Sequence, residues 1–159
     1  MKDLDKELKK TEELRKHNYA KGLSRLKVYY GLWAMEQFKQ NNIPDFKLAY
    51  MPFIFNIELD GITNTELAKR TKVTKQAMGQ VVKELERKKY IKITANPADK
   101  RSSIIHLTEK GKEFILTAYG CMKKFHADLQ KRIGKKKFND FVDTMFEIIA
   151  YHEELETKK

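Results

Sequence analysis

Cysteine is nearly absent from these 159 residues: Cys121 is the only one. A lone thiol leaves no intramolecular disulfide and excludes CxxC metal or redox chemistry. With three prolines and seven glycines, the composition is too poor in helix breakers for a collagenous or low-complexity chain, and favours helices with few strands. No stretch reaches the roughly 18 consecutive apolar residues of a membrane span, and residues 1–21 lack the apolar core of a signal peptide. These absences predict a cytoplasmic chain with no membrane segment. His17, His106, His126 and His152 form no i, i+4 pair and no HExxH, so no metal site is assigned. Nor is there a nucleophile elbow, P-loop, dinucleotide fingerprint or pair of catalytic carboxylates. The chain therefore reads as a non-enzyme without a cofactor.

What it has in excess is positive charge. The formal net charge is +11, and between Thr63 and Ser103 eleven Lys/Arg face four Asp/Glu. Cations clustered on a folded surface repel one another unless phosphates replace their counterions, so the concentration points to a polyanion. The length suits one compact core plus an oligomerisation element.

Along the chain, residues 1–21 read as an exposed helical lead-in with thin apolar content (Leu4, Leu8, Leu14). Leu23, Leu26, Tyr30 and Trp33 recur at helical spacing up to Gln40, where Asn41-Asn42-Ile43-Pro44 ends the helix. Phe46 to Ile57, apolar almost all round, predicts a central core helix, with Pro52 either kinking it or marking where its regular part begins. Thr63-Asn64-Thr65-Glu66 has the form of a capping box, in which Thr63 caps the backbone and Glu66 reaches back. After a short helix and the turn Thr71-Lys72-Val73, Thr74 caps a second helix to about Lys88. Two capped helices joined by so tight a turn form a helix-turn-helix.

Tyr90–Thr94 and Ile104–Leu107 alternate as the strands of a hairpin. The loop between them, from Ala95 to Ser102, is long and charged and should protrude. Thr108 caps the next helix, with Glu109 at its positive end. The stripe from Phe114 to Ile133 sustains it for about 25 residues until Gly134. The last helix carries Phe138, Val142, Met145, Ile149 and His152 at alternating four and three spacing, a seam suited to a partner helix. Apolar terminal helices predict a homodimer.

The helix from Thr74 has two opposite faces. Met78, Val81, Val82 and Leu85 point inward. Gln76, Gly79, Gln80, Lys83 and Arg87 lie opposite, joined near the start by Thr74 and Lys75. Glutamine bonds adenine edges bidentately, and lysine reaches guanine or phosphate, as a major-groove reader requires. Thr63, Asn64 and Thr65 of the preceding helix are assigned to the same surface. A glycine inside a helix costs about 0.5–1 kcal/mol relative to alanine, so Gly79 on the outer face points to close approach by a ligand. At the hairpin tip, Asp99 is placed to hold Arg101 for insertion into a minor groove, flanked by Lys100 and Ser102.

From Ile62 to Gly111 the chain resembles the winged-helix core of the multiple-antibiotic-resistance-regulator (MarR) family. The resemblance is carried by Thr65-Glu66-Leu67-Ala68, Val73-Thr74, Leu85-Glu86, Asn96-Pro97-Ala98-Asp99-Lys100-Arg101 and Leu107-Thr108-Glu109-Lys110-Gly111. It departs where that family commonly has Gly-Leu-Val and this chain has Lys89-Tyr90-Ile91, and Pro52 and the basic lead-in are also less usual. The resemblance implies a mainly α fold with a small β-hairpin wing, divided into a lead-in and dimerisation helix (1–44), a winged helix-turn-helix lobe (45–107) and C-terminal dimerisation helices (108–159). It also implies a homodimer on pseudo-palindromic double-stranded DNA, acting usually as a repressor and often relieved by a small ligand or oxidation. An effector pocket is implied between the dimer helices and the lobe, where Tyr29, Tyr30, Trp33, Tyr50, Phe53 and Tyr119 are the candidate walls. Cys121, mid-helix beside a buried stripe, reads as structural rather than reactive. The competing reading of the basic face is a winged-helix module that docks an acidic protein. The polar Gln76, Gly79, Gln80 surface, without aromatic anchors, argues against it.

Overall fold

The computed structural model describes residues 4–43, 45–99 and 101–158, with Lys75 described by its backbone only. The lead-in forms two short helices, α1 (Leu4–Lys10) and α2 (Glu12–Lys16), neither with a buried residue. Asn18 caps α3 (Tyr19–Gln40) by accepting from the Lys21 amide at 3.1 Å. Asn42, at φ +57, turns the chain out of that helix.

The expectation of one helix from Phe46 to Ile57 is corrected. A 3-10 turn, Leu48–Tyr50, leads into a single α-turn, α4 (Met51–Ile54). Pro52 sits in the first turn of α4, where a missing N–H costs nothing, so it marks the start of regular helix rather than a kink. An all-apolar run has no face to distinguish a helix from a buried irregular segment. Phe53 and Ile54 are buried as the run requires.

Beyond α4 come β1 (Ile62–Thr63), α5 (Asn64–Thr71), α6 (Lys75–Arg87), β2 (Ile91–Ala95), β3 (Ser103–Leu107), α7 (Glu109–Ile133) and α8 (Lys135–Thr157). The strands form an antiparallel sheet in the order β1-β3-β2, with Ile62 and Ile93 both level with Ile105. Strand β1 was not anticipated, because two residues carry no period. It matters for position, since it fastens the start of α5 to the base of the hairpin.

Leu67 of α5, Leu85 of α6, Ile105 of β3 and Ile54 of α4 are fully enclosed and meet in one core. An aromatic layer extends that core toward α7: Phe46 stacks on Phe114 with centroids 3.9 Å apart, and Tyr90 meets Phe46 edge-on at 5.1 Å. Such pairs add roughly 0.5–1.5 kcal/mol each beyond their buried area. The lobe is thus rigid where α5, α6 and the hairpin converge. Among the described residues, no helix is long and apolar enough to cross a membrane.

Candidate nucleic-acid interface

The two helices of the motif are set by threonine caps. Thr63 Oγ1 accepts from the Glu66 amide at 3.2 Å, and Thr74 Oγ1 accepts from the Ala77 amide at 3.2 Å. Each satisfies one of the orphan donors at a helix start. The reciprocal half of the expected capping box is replaced by an ion pair. Glu66 accepts from Arg70 Nε at 3.0 Å, and the same guanidinium reaches Glu58 at 2.6 Å. This bridge ties α5 to the turn that precedes β1. Between the helices, Lys72 adopts φ +53, the left-handed ending that closes the tight turn.

Helix α6 divides as its spacing predicts. Met78, Val82 and Leu85 are buried in the core, while Gln76, Gln80 and Lys83 are exposed. Gly79 lies at the centre of that outward face, and a Cβ built there has no heavy atom within 4 Å. With Asn64, Thr65, Ala68 and Met78 it lines a shallow groove of about 210 Å³ between the start of α5 and α6. The structure therefore brings Asn64 and Thr65 of the first-helix candidates beside Gly79 of the α6 face. Arg87 is drawn aside. Its guanidinium donates to Glu84 at 2.8 and 3.2 Å, and this bond holds the Glu84 carboxyl below its ordinary pKa.

The hairpin tip is organised by its own polar side chains. Asp99 Oδ1 accepts from the Arg101 amide at 3.0 Å and stands 3.6 Å from Arg101 Nε. The Arg101 side chain is nonetheless 94% exposed. Asn96 was not singled out from the sequence, yet it closes the loop: its Nδ2 donates to Ser102 Oγ at 2.8 Å and its Oδ1 accepts from the Ala98 amide at 3.0 Å. Asparagine ahead of proline is a turn signal that would have found it. Ser102 Oγ in turn donates to the Asp99 carbonyl at 3.1 Å. Ser102 therefore serves the loop itself. Lys100 and the side chain of Lys75 lie outside the described residues.

A joint at the far end of α6 was also missed. The first turn of α7 seizes the carbonyls that follow α6: Thr108 Oγ1 lies 2.6 Å from Lys89 O and 3.0 Å from Tyr90 O, and Lys110 Nζ donates to Lys88 O at 2.9 Å. The Lys110 ammonium also stands 4.4 Å from the Tyr90 ring centroid. Gly111 fits because any Cβ there would overlap the Tyr90 carbonyl. Lys89 takes φ +62. The joint thus needs a left-handed residue at the place where the sequence departs from the family's glycine.

The six aromatics named for an effector pocket fall into different settings. Tyr50 and Phe53 are core residues, and Tyr29 and Tyr119 are at least half exposed, with Tyr119 edge-on to Phe55. Tyr30 and Trp33 instead group with Phe125, which stacks on Trp33 at 4.3 Å. Burial raises the Tyr30 phenol above its ordinary pKa. Cys121 is half-buried, 3.6 Å from Asn41 Nδ2.

A capped helix pair with an outward polar face, backed by a three-stranded sheet whose hairpin projects a cation, defines a winged helix-turn-helix protein. Residues 45–102 match the sequence profile of the MarR family. The fold is shared with solved regulators. MarR itself superposes with a TM-score of 0.75 at 17% identity over 89% of this chain and 95% of that one. A MarR transcriptional regulator from Methanosarcina mazei Go1 gives 0.73 at 17% identity over 86% and 96%. The transcriptional repressor CouR, solved bound to a 23-mer DNA duplex, gives 0.69 at 22% identity over 88% and 96%. No curated protein matches the chain in sequence.

Proposed function

We propose that this chain is a transcription regulator that reads double-stranded DNA as a homodimer, repressing from a pseudo-palindromic operator. The observation that carries the reading is the outward face of α6. Its inner residues are locked in the core, so Gln76, Gly79, Gln80 and Lys83 are presented on a rigid rod. Exposed Arg101 stands on the hairpin beside it. In this reading Gln76 and Gln80 contact base edges, Lys83 and Lys75 contact guanine or phosphate, and Thr63, Asn64, Thr65 and Thr74 set the register on the backbone. The wing, Asp99 to Ser102, enters the flanking minor groove with Arg101 leading and Lys100 on the phosphates.

Dimerisation is supported by apolar side chains left uncovered on the long helices. Leu23, Leu26, Leu32 and Met35 of α3, Leu116 of α7 and Phe146 of α8 are all half or more exposed. Large apolar side chains left exposed in this number on long helices support an interface there. A two-fold dimer presents two α6 rods and so requires a two-fold operator. A small effector that changes the angle between the terminal helices and the lobe would relieve repression, and the Tyr30, Trp33 and Phe125 stack is the place for its apolar part.

The test is selection of bound duplexes from a random library, followed by titration at several salt concentrations. The log–log salt slope should be about −0.9 per phosphate neutralised. Arg101→Ala weakens binding to the selected site, whereas Gln80→Ala relaxes preference at one base by roughly 1–3 kcal/mol. Wild-type selection and affinity in both variants would overturn the assignment. Capture of an acidic protein with no duplex selected would replace it with the docking reading.

A further inference from the structure

Beside the joint between α6 and α7 lies a cavity of about 270 Å³, walled by the loop that follows α3, the Tyr90 side chain and the first turns of α7. It shares no residue with the Tyr30, Trp33 and Phe125 group or with the outward face of α6. The loop is held in shape from both sides. Asn42 turns it at φ +57, and the Ile43 amide donates to the Phe38 carbonyl at 2.8 Å. Asn41 Nδ2 donates to the Gln37 carbonyl at 2.9 Å and stands 3.6 Å from Cys121 of α7.

Tyr90 is only 3% exposed, yet its hydroxyl makes no hydrogen bond among the described residues. A buried hydroxyl left without a partner costs about 1–3 kcal/mol, so this one calls for a partner from the cavity that it lines. Asp45 and Glu113 line the same space, Asp45 within electrostatic reach of the phenol. Neither carboxylate has an ion pair or hydrogen bond among the described residues. The cations nearby are committed elsewhere. Lys110 donates to the Lys88 carbonyl at 2.9 Å and stands 4.4 Å from the Tyr90 ring centroid, Lys112 pairs with Glu109 at 2.7 Å, and Arg87 pairs with Glu84 at 2.8 Å. In a chain of net charge +11, this small space sets two carboxylates against the single ammonium of Lys110.

Two anionic acceptors and one phenolic acceptor around one space match the three N–H groups of a primary ammonium. The wall between them is apolar, since Ile43 and Phe114 belong to the hydrophobic core or pack against it. A metal ion is the poorer match, because no three His, Cys, Asp or Glu side chains converge among the described residues. The volume falls just under the roughly 300–1,000 Å³ of pockets for drug-sized ligands, so one ring with a short arm fills it. We infer that this cavity binds a small primary amine carrying one apolar ring, its ammonium shared by Asp45, Glu113 and the Tyr90 hydroxyl and its ring against Ile43 and Phe114. Bound there, the amine ties the loop after α3 to α7 and to the residue that follows α6. The site stands apart from the DNA reading, because its occupancy is measured without DNA.

The test titrates the full-length protein with 2-phenylethylamine by ligand-observed NMR, with 2-phenylethanol and phenylacetate as its neutral and anionic counterparts. The amine should bind at least about tenfold more tightly than the alcohol, the difference that one charge-assisted hydrogen bond supplies, and phenylacetate should bind more weakly still. Asp45→Asn and Glu113→Gln, both at exposed side chains, should each weaken the amine about tenfold or more, and Tyr90→Phe should weaken it about two- to tenfold. Phe125→Leu, in the separate aromatic group, should leave amine binding unchanged and so keeps the two places distinct. Failure of the amine to bind at millimolar concentration would overturn the site, as would equal binding of all three probes or preference for phenylacetate. Wild-type affinity in a variant combining Asp45→Asn and Glu113→Gln would overturn it too. Displacement of the amine by calcium at micromolar concentration would give the carboxylates to a metal ion instead. None of these outcomes bears on whether the protein selects a duplex.

Discussion

Replacing Gly79 with alanine should make the protein more stable and a worse DNA binder. The stability arm follows from backbone entropy, because a mid-helix glycine gives up about 0.5–1 kcal/mol relative to alanine. Nothing in the free protein opposes the change, since the new methyl meets no heavy atom within 4 Å. For a chain of this size, a gain of that order raises Tm by roughly 2–4 °C per kcal/mol. The binding arm follows from the groove of about 210 Å³ that Gly79 shares with Asn64, Thr65, Ala68 and Met78. If a base edge or sugar fills that groove, an added methyl overpacks a fitted contact by about 1–3 kcal/mol, or roughly 5- to 150-fold in Kd. Thermal melting and operator titration on the same preparation read the two arms separately. Higher Tm with unchanged affinity would show that the DNA does not approach α6 at this point, and would refute the reason given for the glycine.

Gly111→Ala has the opposite character: its methyl overlaps the Tyr90 carbonyl, so denaturant melts should show a loss of about 1–3 kcal/mol although alanine is the better helix former. Lys89→Gly should gain up to about 1 kcal/mol, because φ +62 strains a side chain and not a glycine; a loss in the same melts would mean the turn has another conformation. Burial, aided by Asp45, raises the Tyr90 phenol above its ordinary pKa, so the folded state holds the proton longer than the unfolded chain. Stability is complete below the ordinary tyrosine range near pH 10 and falls as pH rises toward the raised value, and Tyr90→Phe should flatten that alkaline decline in pH-dependent melts.

The parts of this fold that were legible in the sequence are those with a local physical mechanism. Thr63, Thr74 and Thr108 announce helix starts because a short hydroxyl side chain satisfies orphan amides, and all three accept the bond they were expected to accept. The two faces of α6 were legible because burial at 3.6-residue spacing leaves a complementary polar set. Phe46 to Ile57 was misjudged for the converse reason, since uniform apolarity erases the period. Lys72 and Lys89 gave no sign of their left-handed backbone, because the usual glycine or asparagine is absent at both places. The aromatic group was only half visible: Tyr30 and Trp33 could be named, but their contact with Phe125 depends on how α3 crosses α7, which no spacing within one helix encodes.

That crossing bears on how the two ends of the molecule communicate. Helix α7 begins at the joint with α6 and runs on to the Phe125 stack and the α8 corner. At the joint, Thr108 and Lys110 hold the three successive carbonyls that follow α6, and Gly111, with no Cβ, lets α7 close against the Tyr90 carbonyl. A tilt of α7 must therefore either carry α6 with it or break several hydrogen bonds, each worth about 0.5–1.5 kcal/mol. The core beneath α6, where Met78, Val82 and Leu85 are enclosed, moves with it as a unit. In the proposed dimer, a ligand or partner that changes the packing of α7 against α3 would act on the spacing between the two outward faces, the distance to which a reader of successive major grooves is most sensitive.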